Sequence, residues 1–137
     1  MMRRTVAALA LAGALAGCSV GHDLPAVNAA VGVFHQELNA QDFDKIYSDA
    51  GPDFKNASGQ ADFTQLLSAI HRKLGNYVSG AAGGWNDNVN TSGHFVTVGF
   101  SARYEQGAAE ENFVYRIDNG KALLAGYHIS SNALIIN

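Results

Sequence analysis

The sequence predicts an α+β domain in which N-terminal helices pack on one face of a four-stranded antiparallel meander. Apolar residues recur every three or four positions up to Gly75, as on one face of a helix. After Gly75 they recur at every second position, as on one face of a strand. Short polar, mostly glycine-containing segments separate the alternating stretches and are typical of tight turns between antiparallel strands.

The first helix is predicted to begin after Asp23. Its apolar side chains follow one another at intervals of three and four residues, which places them on one face. Asp23 is a candidate N-cap, and Pro25 fits the first turn because its missing N–H has no helical partner there. The apolar stripe consists of Leu24, Val27, Val31, Phe34 and Leu38.

Two further helices are predicted before Gly75. A short one ends at Gly51-Pro52, and a loop runs through residues 56–59. The next one ends with the three basic residues 71–73, followed by Gly75, which are typical signals of a helix C-terminus. The apolar faces consist of Phe43, Ile46 and Tyr47 in the short helix and of Phe63, Leu66, Leu67, Ile70 and Leu74 in the longer one.

Four strands are predicted after the helices. Residues 77–91 form the least regular strand, because their glycines weaken it. The other three strands span residues 95–104, 110–117 and 123–130 and alternate between two faces. The predicted inward-facing residues are Val96, Val98, Phe100, Ala102 and Tyr104, then Glu111, Phe113, Tyr115 and Ile117, then Leu123, Ala125, Tyr127 and Ile129.

Three short turns predict how the strands pair. Turns at residues 92–93, 106–107 and 118–120 keep the apolar side chains of all strands on one face, and a slip by one residue would not. In this register Arg103, Glu110 and His128 form a row across the outer face of the sheet. The row is either an acid–base pair or ligand contact, or an ion-pair ladder that keeps the face soluble, and we favour the ladder.

Glu111 is the most unusual residue of the predicted sheet, because it shares a face with apolar side chains and a carboxylate there is costly unless it is paired. In one interpretation Glu111 is a base in a pocket between helices and sheet, with a pKa raised by burial. In the other, which we favour, it lies at the edge of the core and bonds to Tyr127, opposite it, or to His71, Arg72 or Lys73.

Trp85 is predicted to lie in one row with Phe100, as a core aromatic or as the wall of a pocket. The outer sheet face carries a smaller apolar strip. If nothing covers this strip, it is a candidate contact for a second copy of the chain or for another envelope protein. The strip consists of Phe95, Val114 and Leu124.

No metal, cofactor or nucleic acid is predicted. The five histidines are scattered, and none has a metal-ligand partner at helical spacing. The glycine-rich residues 80–84 lack the Lys-Ser/Thr of a phosphate loop, and Ser130-Ser131 lies outside a nucleophile elbow. No basic patch is large enough to indicate a nucleic-acid partner.

The first 17 residues have the layout of an export signal. Arg3 and Arg4 precede an apolar stretch, and small residues follow it directly before Cys18. The apolar stretch is about 12 residues long, whereas a membrane-spanning helix needs about 20. Removal of residues 1–17 changes the formal net charge from −3 to −5. It leaves residues 18–23 as a tether and 24–137 as one α+β domain.

Residues 15–18, Leu-Ala-Gly-Cys, closely resemble a bacterial lipobox. The resemblance implies that Cys18 receives a diacylglycerol, that the chain is cut before it and that the new amine is acylated. Several acyl chains together anchor a protein stably to a membrane. Ser19 stands where inner-membrane lipoproteins often carry Asp, so the resemblance implies an outer-membrane anchor with the domain facing the periplasm. The only thiol of the chain is then unavailable for redox or metal chemistry.

The order of the elements resembles the cystatin-like roll, as in nuclear-transport-factor-2-like domains. It is also similar to uncharacterised secreted and lipoprotein domains of bacteria over about residues 28–132. The resemblance rests on "DFDKIYSDAGPDFK", "DFTQLLSAIHRKLG" and "LLAGYHI". It implies a fold and a compartment and brings no catalytic residue with it.

Three functions remain open from the sequence. The first is a lipid-anchored module that binds a partner or a small ligand without catalysis. The second is an enzyme that uses Glu111 and Tyr127 for proton transfer or hydrolysis, which requires a real cavity. The third is a dimer formed through the outer face of the sheet.

Overall fold

The computed structural model describes residues 22–136, and these form the predicted α+β fold, with helices followed by one four-stranded antiparallel sheet in the order β1-β2-β3-β4. Four helices precede the sheet and a short one follows it. The elements are α1 (Leu24–Asn39), α2 (Phe43–Asp49), α3 (Pro52–Ala57), α4 (Gln60–Leu74), β1 (Tyr77–Asn90), β2 (Gly93–Tyr104), β3 (Gly107–Asp118), β4 (Lys121–Ser130) and α5 (Asn132–Ile136).

The predicted signal peptide, Cys18 and most of the predicted tether lie outside the described residues. Within residues 22–136, no helix is long and apolar enough to cross a membrane. Asp23 is the N-cap of α1 by position, and Pro25 lies in the first turn, as predicted. The Asp23 carboxylate makes no capping hydrogen bond, because it faces the histidine side chains His22 and His94 instead.

The predicted helical stripes form the helical half of the core. Val27, Val31, Phe34 and Leu38 of α1 and Phe63, Leu67, Ile70 and Leu74 of α4 are all buried. They pack against the inner face of the sheet, where Val96, Val98, Phe113 and Tyr115 are buried as well. Leu66, which was assigned to the inner face of α4, is 43% exposed and lies at its edge.

The short helix α2 ends before Gly51-Pro52, as predicted, but residues 52–57 form a helix that the sequence did not predict, and the loop predicted at residues 56–59 is wrong for residues 56 and 57. Pro52 begins α3 instead of only ending α2. Proline is well suited to the first position of a helix because its φ is already helical and its missing N–H has no intrahelical partner there. Phe54 of this short helix is buried against the core, which holds α3 in place.

All three hairpin turns have two-residue loops: the first two lie one residue earlier in the chain than predicted, and the third, residues 119–120, is one residue shorter than the predicted turn at 118–120. The last paired residues are Asn90 with Gly93, Tyr104 with Gly107, and Asp118 with Lys121. In the third turn the loop residues Asn119 and Gly120 have φ of 50° and 77°, as a type I′ hairpin requires. Moving the centre of a turn by one residue moves the pairing by two, which leaves each side chain on its face and changes its neighbour.

The predicted row of Arg103, Glu110 and His128 therefore does not form. Arg103 pairs with Ala108, and Glu110 pairs with Ser101 and Ser130. The predicted pairing of Trp85 with Phe100 is wrong for the same reason, since Trp85 pairs with Val98.

One irregularity in β4 corrects the faces assigned there. The register shifts between Val114 and Tyr115, so that Tyr115 pairs with Leu124 while Val114 pairs with Gly126. Ala125 is the extra residue of this bulge. Leu124, which we expected on the outer face, is consequently 6% exposed and belongs to the core.

Candidate functional site

Glu111 of β3 lies inside the protein and accepts three hydrogen bonds. The residue is 1% exposed. The hydroxyls of Tyr104 and Tyr127 donate to Oε2 over 3.0 Å and 2.5 Å. Nε2 of His35 lies 2.8 Å from Oε1 and donates to it in the tautomer that carries the proton on Nε2. Both carboxylate oxygens are thus satisfied by protein groups.

His35 of α1 is held as tightly as the carboxylate that it contacts. It is 2% exposed, and its ring stacks on that of Tyr77 with centroids 3.7 Å apart and planes 3° apart. The backbone of Tyr77 is itself fixed, since its N–H and C=O both bond to the side-chain amide of Asn39 at the end of α1. The imidazole therefore has little freedom to turn away from Glu111.

We call His35, Glu111, Tyr104 and Tyr127 the Glu111 cluster. Its members come from α1 and from three adjacent strands, and Tyr77 adds the fourth strand. Burial raises the pKa of Tyr104 and Tyr127 far above the usual value, and the carboxylate of Glu111 raises it further. The phenols thus stay protonated and remain hydrogen-bond donors. The cluster connects the helical layer to the sheet through hydrogen bonds.

Chemically, a carboxylate, an imidazole and two phenols in contact resemble the parts of an acid–base site. A catalytic base must reach the proton that it removes. Here the side chain of Glu111 is fully buried and that of His35 is 3% exposed, and each of their contacts is to another protein group. Among the described residues no buried side-chain N or O atom lacks a hydrogen-bond partner.

A cleft of about 230 Å³ opens to solvent between α1, α2 and the strands β3 and β4. None of the four members of the Glu111 cluster lines it. Its walls are largely apolar and include Ala30, Val33, Phe34, Ile46, Tyr115 and Leu124. Phe34 separates the two sites: it lines the cleft and packs on Tyr127 of the cluster, with ring centroids 4.7 Å apart.

Two carboxylates, Glu37 and Asp49, also line the cleft. Lys45 lies beside both, with Nζ 2.6 Å from Asp49 and 3.7 Å from Glu37. Burial raises the pKa of Glu37; Asp49 and Asp42 raise it further, while Lys45 lowers it. The cleft is therefore an apolar depression with excess negative charge on one side.

Asp23, Asp87 and His94 form a third cluster of titratable side chains. Their ligand atoms lie within 4.8 Å of one another, as required to hold one metal ion. Nε2 of His94 is 2.5 Å from Asp87 within the β1–β2 hairpin and 3.5 Å from Asp23, and the contact with Asp23 connects the hairpin to the start of α1. The sequence interpretation missed this grouping because it searched for ligands at helical spacing, and Asp23 is remote in sequence.

The structure brings together only two of the side chains singled out in the sequence, Glu111 and Tyr127. His71 faces Asn76 at the end of α4, with Nε2 2.9 Å from Oδ1, and does not reach Glu111. Trp85 is 41% exposed instead of lying in the core. The remaining three, Arg103, Glu110 and His128, are exposed on the outer face. Cys18 lies outside the described residues.

His35 is the cluster member that the sequence interpretation missed. It was considered only as a metal ligand and set aside because its neighbours at i±4 are Val31 and Asn39. A usable signal was present, because His35 follows Val31 at the spacing that defines the apolar stripe of the first helix. A polar residue on the inward face of a helix needs a buried hydrogen-bond partner. Glu111 is a polar residue on the inward face of the predicted sheet and needs such a partner as well.

The chain matches no model of a known protein family, and a comparison with curated proteins found no match. Function is therefore inferred below from the geometry of the cleft and of the Glu111 cluster.

Proposed function

We propose that this chain is a lipid-anchored domain of the bacterial cell envelope that faces the periplasm and binds a small ligand in the cleft, without catalysing a reaction. The observation that carries this proposal is the contrast between the cleft and the Glu111 cluster. The cleft is open, apolar and bordered by charge, as ligand sites are. The polar groups suited to catalysis are instead enclosed and bonded to one another.

The anchor is the part of the proposal that rests on sequence. The lipobox-like residues 15–18 support lipidation of Cys18, and Ser19 supports the outer membrane. A tether of six residues, 18–23, spans at most about 20 Å when extended. The ligand cleft would thus stay within a short distance of the membrane surface.

The anchor is tested by replacing Cys18 with Ser in cells and separating membranes from soluble periplasm. We expect the variant protein to leave the membrane fraction, because it cannot receive a diacylglycerol. Membrane attachment that is unchanged by Cys18→Ser would contradict lipidation.

Ligand binding in the cleft is tested by filling it. Ala30→Phe places a ring in the cleft, and Ala29→Phe places the same ring on the exposed side of the same helix. We expect small apolar amines and alcohols to shift NMR signals of cleft residues in the parent and in Ala29→Phe but not in Ala30→Phe. Equal shifts in both variants would place binding elsewhere, and no shifts in the parent would contradict the proposal.

An enzyme that uses Glu111 for proton transfer or hydrolysis is the second candidate. The convergence of His35, Tyr104 and Tyr127 on one carboxylate is the observation that favours it. A substrate would have to displace Phe34 or Tyr127 to reach Glu111. Hydrolysis of small esters that is abolished by Glu111→Gln in a folded variant would support the enzyme over the binding module.

The outer face of the sheet remains a proposed contact for a second copy or for another envelope protein. Leu124 does not belong to this surface, and the guanidinium of Arg116 lies 4.8 Å from the ring centroid of Phe95. Sedimentation of the Cys18→Ser chain at high concentration tests the dimer, and a purely monomeric species would count against it.

A further inference from the structure

We infer that the ligand of the cleft is a small organic cation, a primary ammonium group carried on a short apolar body. The inference rests on the proposed function and names the ligand class for that site. It follows from the combination of apolar walls, limited volume and two carboxylates on one side of the cleft.

The apolar walls of the cleft favour a ligand with an apolar body. Val33, Phe34, Ile46 and Leu124 line it, and because the last three are already buried, Val33 supplies most of the apolar surface that a ligand on these four would remove from water. Val33 is 48% exposed in the free protein, although it is a large aliphatic residue. A ligand without an apolar part would leave this surface uncovered.

The volume sets the size of the ligand. At about 230 Å³ the cleft lies below the range of about 300–1,000 Å³ that is typical of pockets for drug-sized molecules. A short alkyl chain or a single ring fits this volume, whereas a lipid with two acyl chains does not.

The two carboxylates of the cleft favour a ligand that carries a positive charge. Glu37 comes from α1 and Asp49 from α2, and both line the cleft. The side chain of Glu37 is 14% exposed, so its charge is only partly screened by water. The groups that act on Glu37 are Lys45, Asp49 and Asp42, which leaves an excess of negative charge. An anionic ligand would be repelled, and a neutral one would leave the charge unbalanced.

Lys45 shows which chemical group these carboxylates accept. Its ammonium lies 2.6 Å from Asp49 and 3.7 Å from Glu37, while its side chain is 52% exposed and is not part of the cleft lining. It reaches the carboxylates from the outside, and a ligand ammonium would reach them from the inside. A flexible, exposed lysine is readily displaced, because surface ion pairs contribute little.

The test compares three six-carbon probes that differ only in their polar group: hexylammonium, hexan-1-ol and hexanoate. Binding is followed by NMR on the full-length chain carrying Cys18→Ser, so that no detergent competes for the cleft. We expect hexylammonium to bind about five-fold more tightly than hexan-1-ol, and hexanoate to bind most weakly. The preference for hexylammonium should decrease as salt is added.

Three substitutions assign the effect to the named groups. Glu37→Gln and Asp49→Asn should each bring hexylammonium toward the affinity of hexan-1-ol and leave the alcohol unchanged. Lys45→Met should tighten hexylammonium about five-fold, because it removes the competing ammonium. Asp49 and Lys45 are exposed, so their variants are expected to fold, and circular dichroism checks each of them.

The outcomes separate the inference from the proposed function. The inference of a cationic ligand is contradicted if hexan-1-ol shifts the NMR signals of cleft residues as strongly as hexylammonium does, or if Lys45→Met weakens the binding of hexylammonium. Either result leaves the proposed ligand site in the cleft intact. If none of the three probes shifts cleft residues, the ligand site itself is wrong and the inference falls with it.

Discussion

Two carboxylates, one that contacts α1 and one that belongs to it, have opposite surroundings. Glu111 bonds to His35 of α1 and is fully buried with three donors. Glu37 lies on α1, two residues after His35, and lines the open cleft with one lysine near it. Residues two apart on a helix point in different directions, so a single helix borders both a closed polar cluster and an open apolar cleft.

From this difference we expect the same chemical group to stabilise the fold in one place and, in the proposed function, to bind a ligand in the other. A buried carboxylate with a complete set of donors holds the elements around it together, and removing it leaves the donors unpaired. A carboxylate beside open apolar surface has spare acceptor capacity that a ligand can use. The closed cluster is therefore expected to govern folding, and the cleft is expected to govern binding.

The largest expected effect comes from removing the carboxylate of the closed cluster. Glu111→Ala should lower the free energy of unfolding by about 3–5 kcal/mol, because His35 and two tyrosines lose their acceptor inside the protein. Urea denaturation of the Cys18→Ser chain measures it. Glu110→Ala, the exposed neighbour, is the control and should change stability by less than about 0.5 kcal/mol. Similar losses in both variants would contradict the role of the cluster.

A smaller loss is expected when one donor of the cluster is removed. Tyr127→Phe should cost about 1.5–3 kcal/mol, the range for hydrogen bonds to charged groups. Tyr115→Phe is the matched control, since Tyr115 is equally placed on the inner face and lines the cleft but does not bond to Glu111. If thermal and urea unfolding show equal losses of stability in Tyr127→Phe and Tyr115→Phe, the hydrogen bond to Glu111 does not stabilise the fold.

Removing the carboxylate of Glu37 in the cleft should change how the free energy of unfolding depends on pH more than it changes the magnitude of that free energy. The pKa of Glu37 is raised above 4.5, chiefly by burial. Its contribution to stability is therefore full below about pH 4.5 and is lost as the pH rises through the raised pKa. Glu37→Gln should gain stability relative to the parent between pH 4 and pH 7, by less than the loss in Tyr127→Phe. Parallel pH profiles in urea denaturation would contradict this assignment.

The smallest expected effect lies at a partly buried ion pair outside both sites. Arg116 of β3 donates to both carboxylate oxygens of Asp53 in α3, over 2.6 Å and 3.0 Å. These hydrogen bonds hold the pKa of Asp53 below its usual 3.8. The contribution is thus present above pH 3.8 and lost as the pH falls through the lowered pKa.

Asp53→Asn should consequently destabilise the protein slightly at pH 7 and not at all in strong acid. The comparison of thermal midpoints at pH 7 and at pH 2.5 measures this difference. Asp62→Asn, at an exposed aspartate in the first turn of α4, is the control and should show no such pH dependence. An Asp53→Asn loss that persists in acid would indicate packing of α3 instead of an ion pair.

Part of the closed cluster could be predicted from the sequence, and none of the cleft could. Glu111 attracted attention because it stands in an apolar alternation, and Tyr127 because it was predicted to be close to it. The open cleft depends on how α2 sits against α1 and β4, and no periodicity in the sequence reports the gap between them.

The local sequence of this protein determined where helices give way to strands, because the change from helical to alternating periodicity at Gly75 reflects which side chains must share a face. It also determined that Glu111 would face apolar neighbours. Only the tertiary structure decided the register, since moving the first two turns by one residue preserves the faces of their strands and changes the partners, and since the bulge in β4 turns Leu124 inward. It likewise decided that His35 meets Glu111, because contacts between residues 76 positions apart depend on how a helix lies across a sheet.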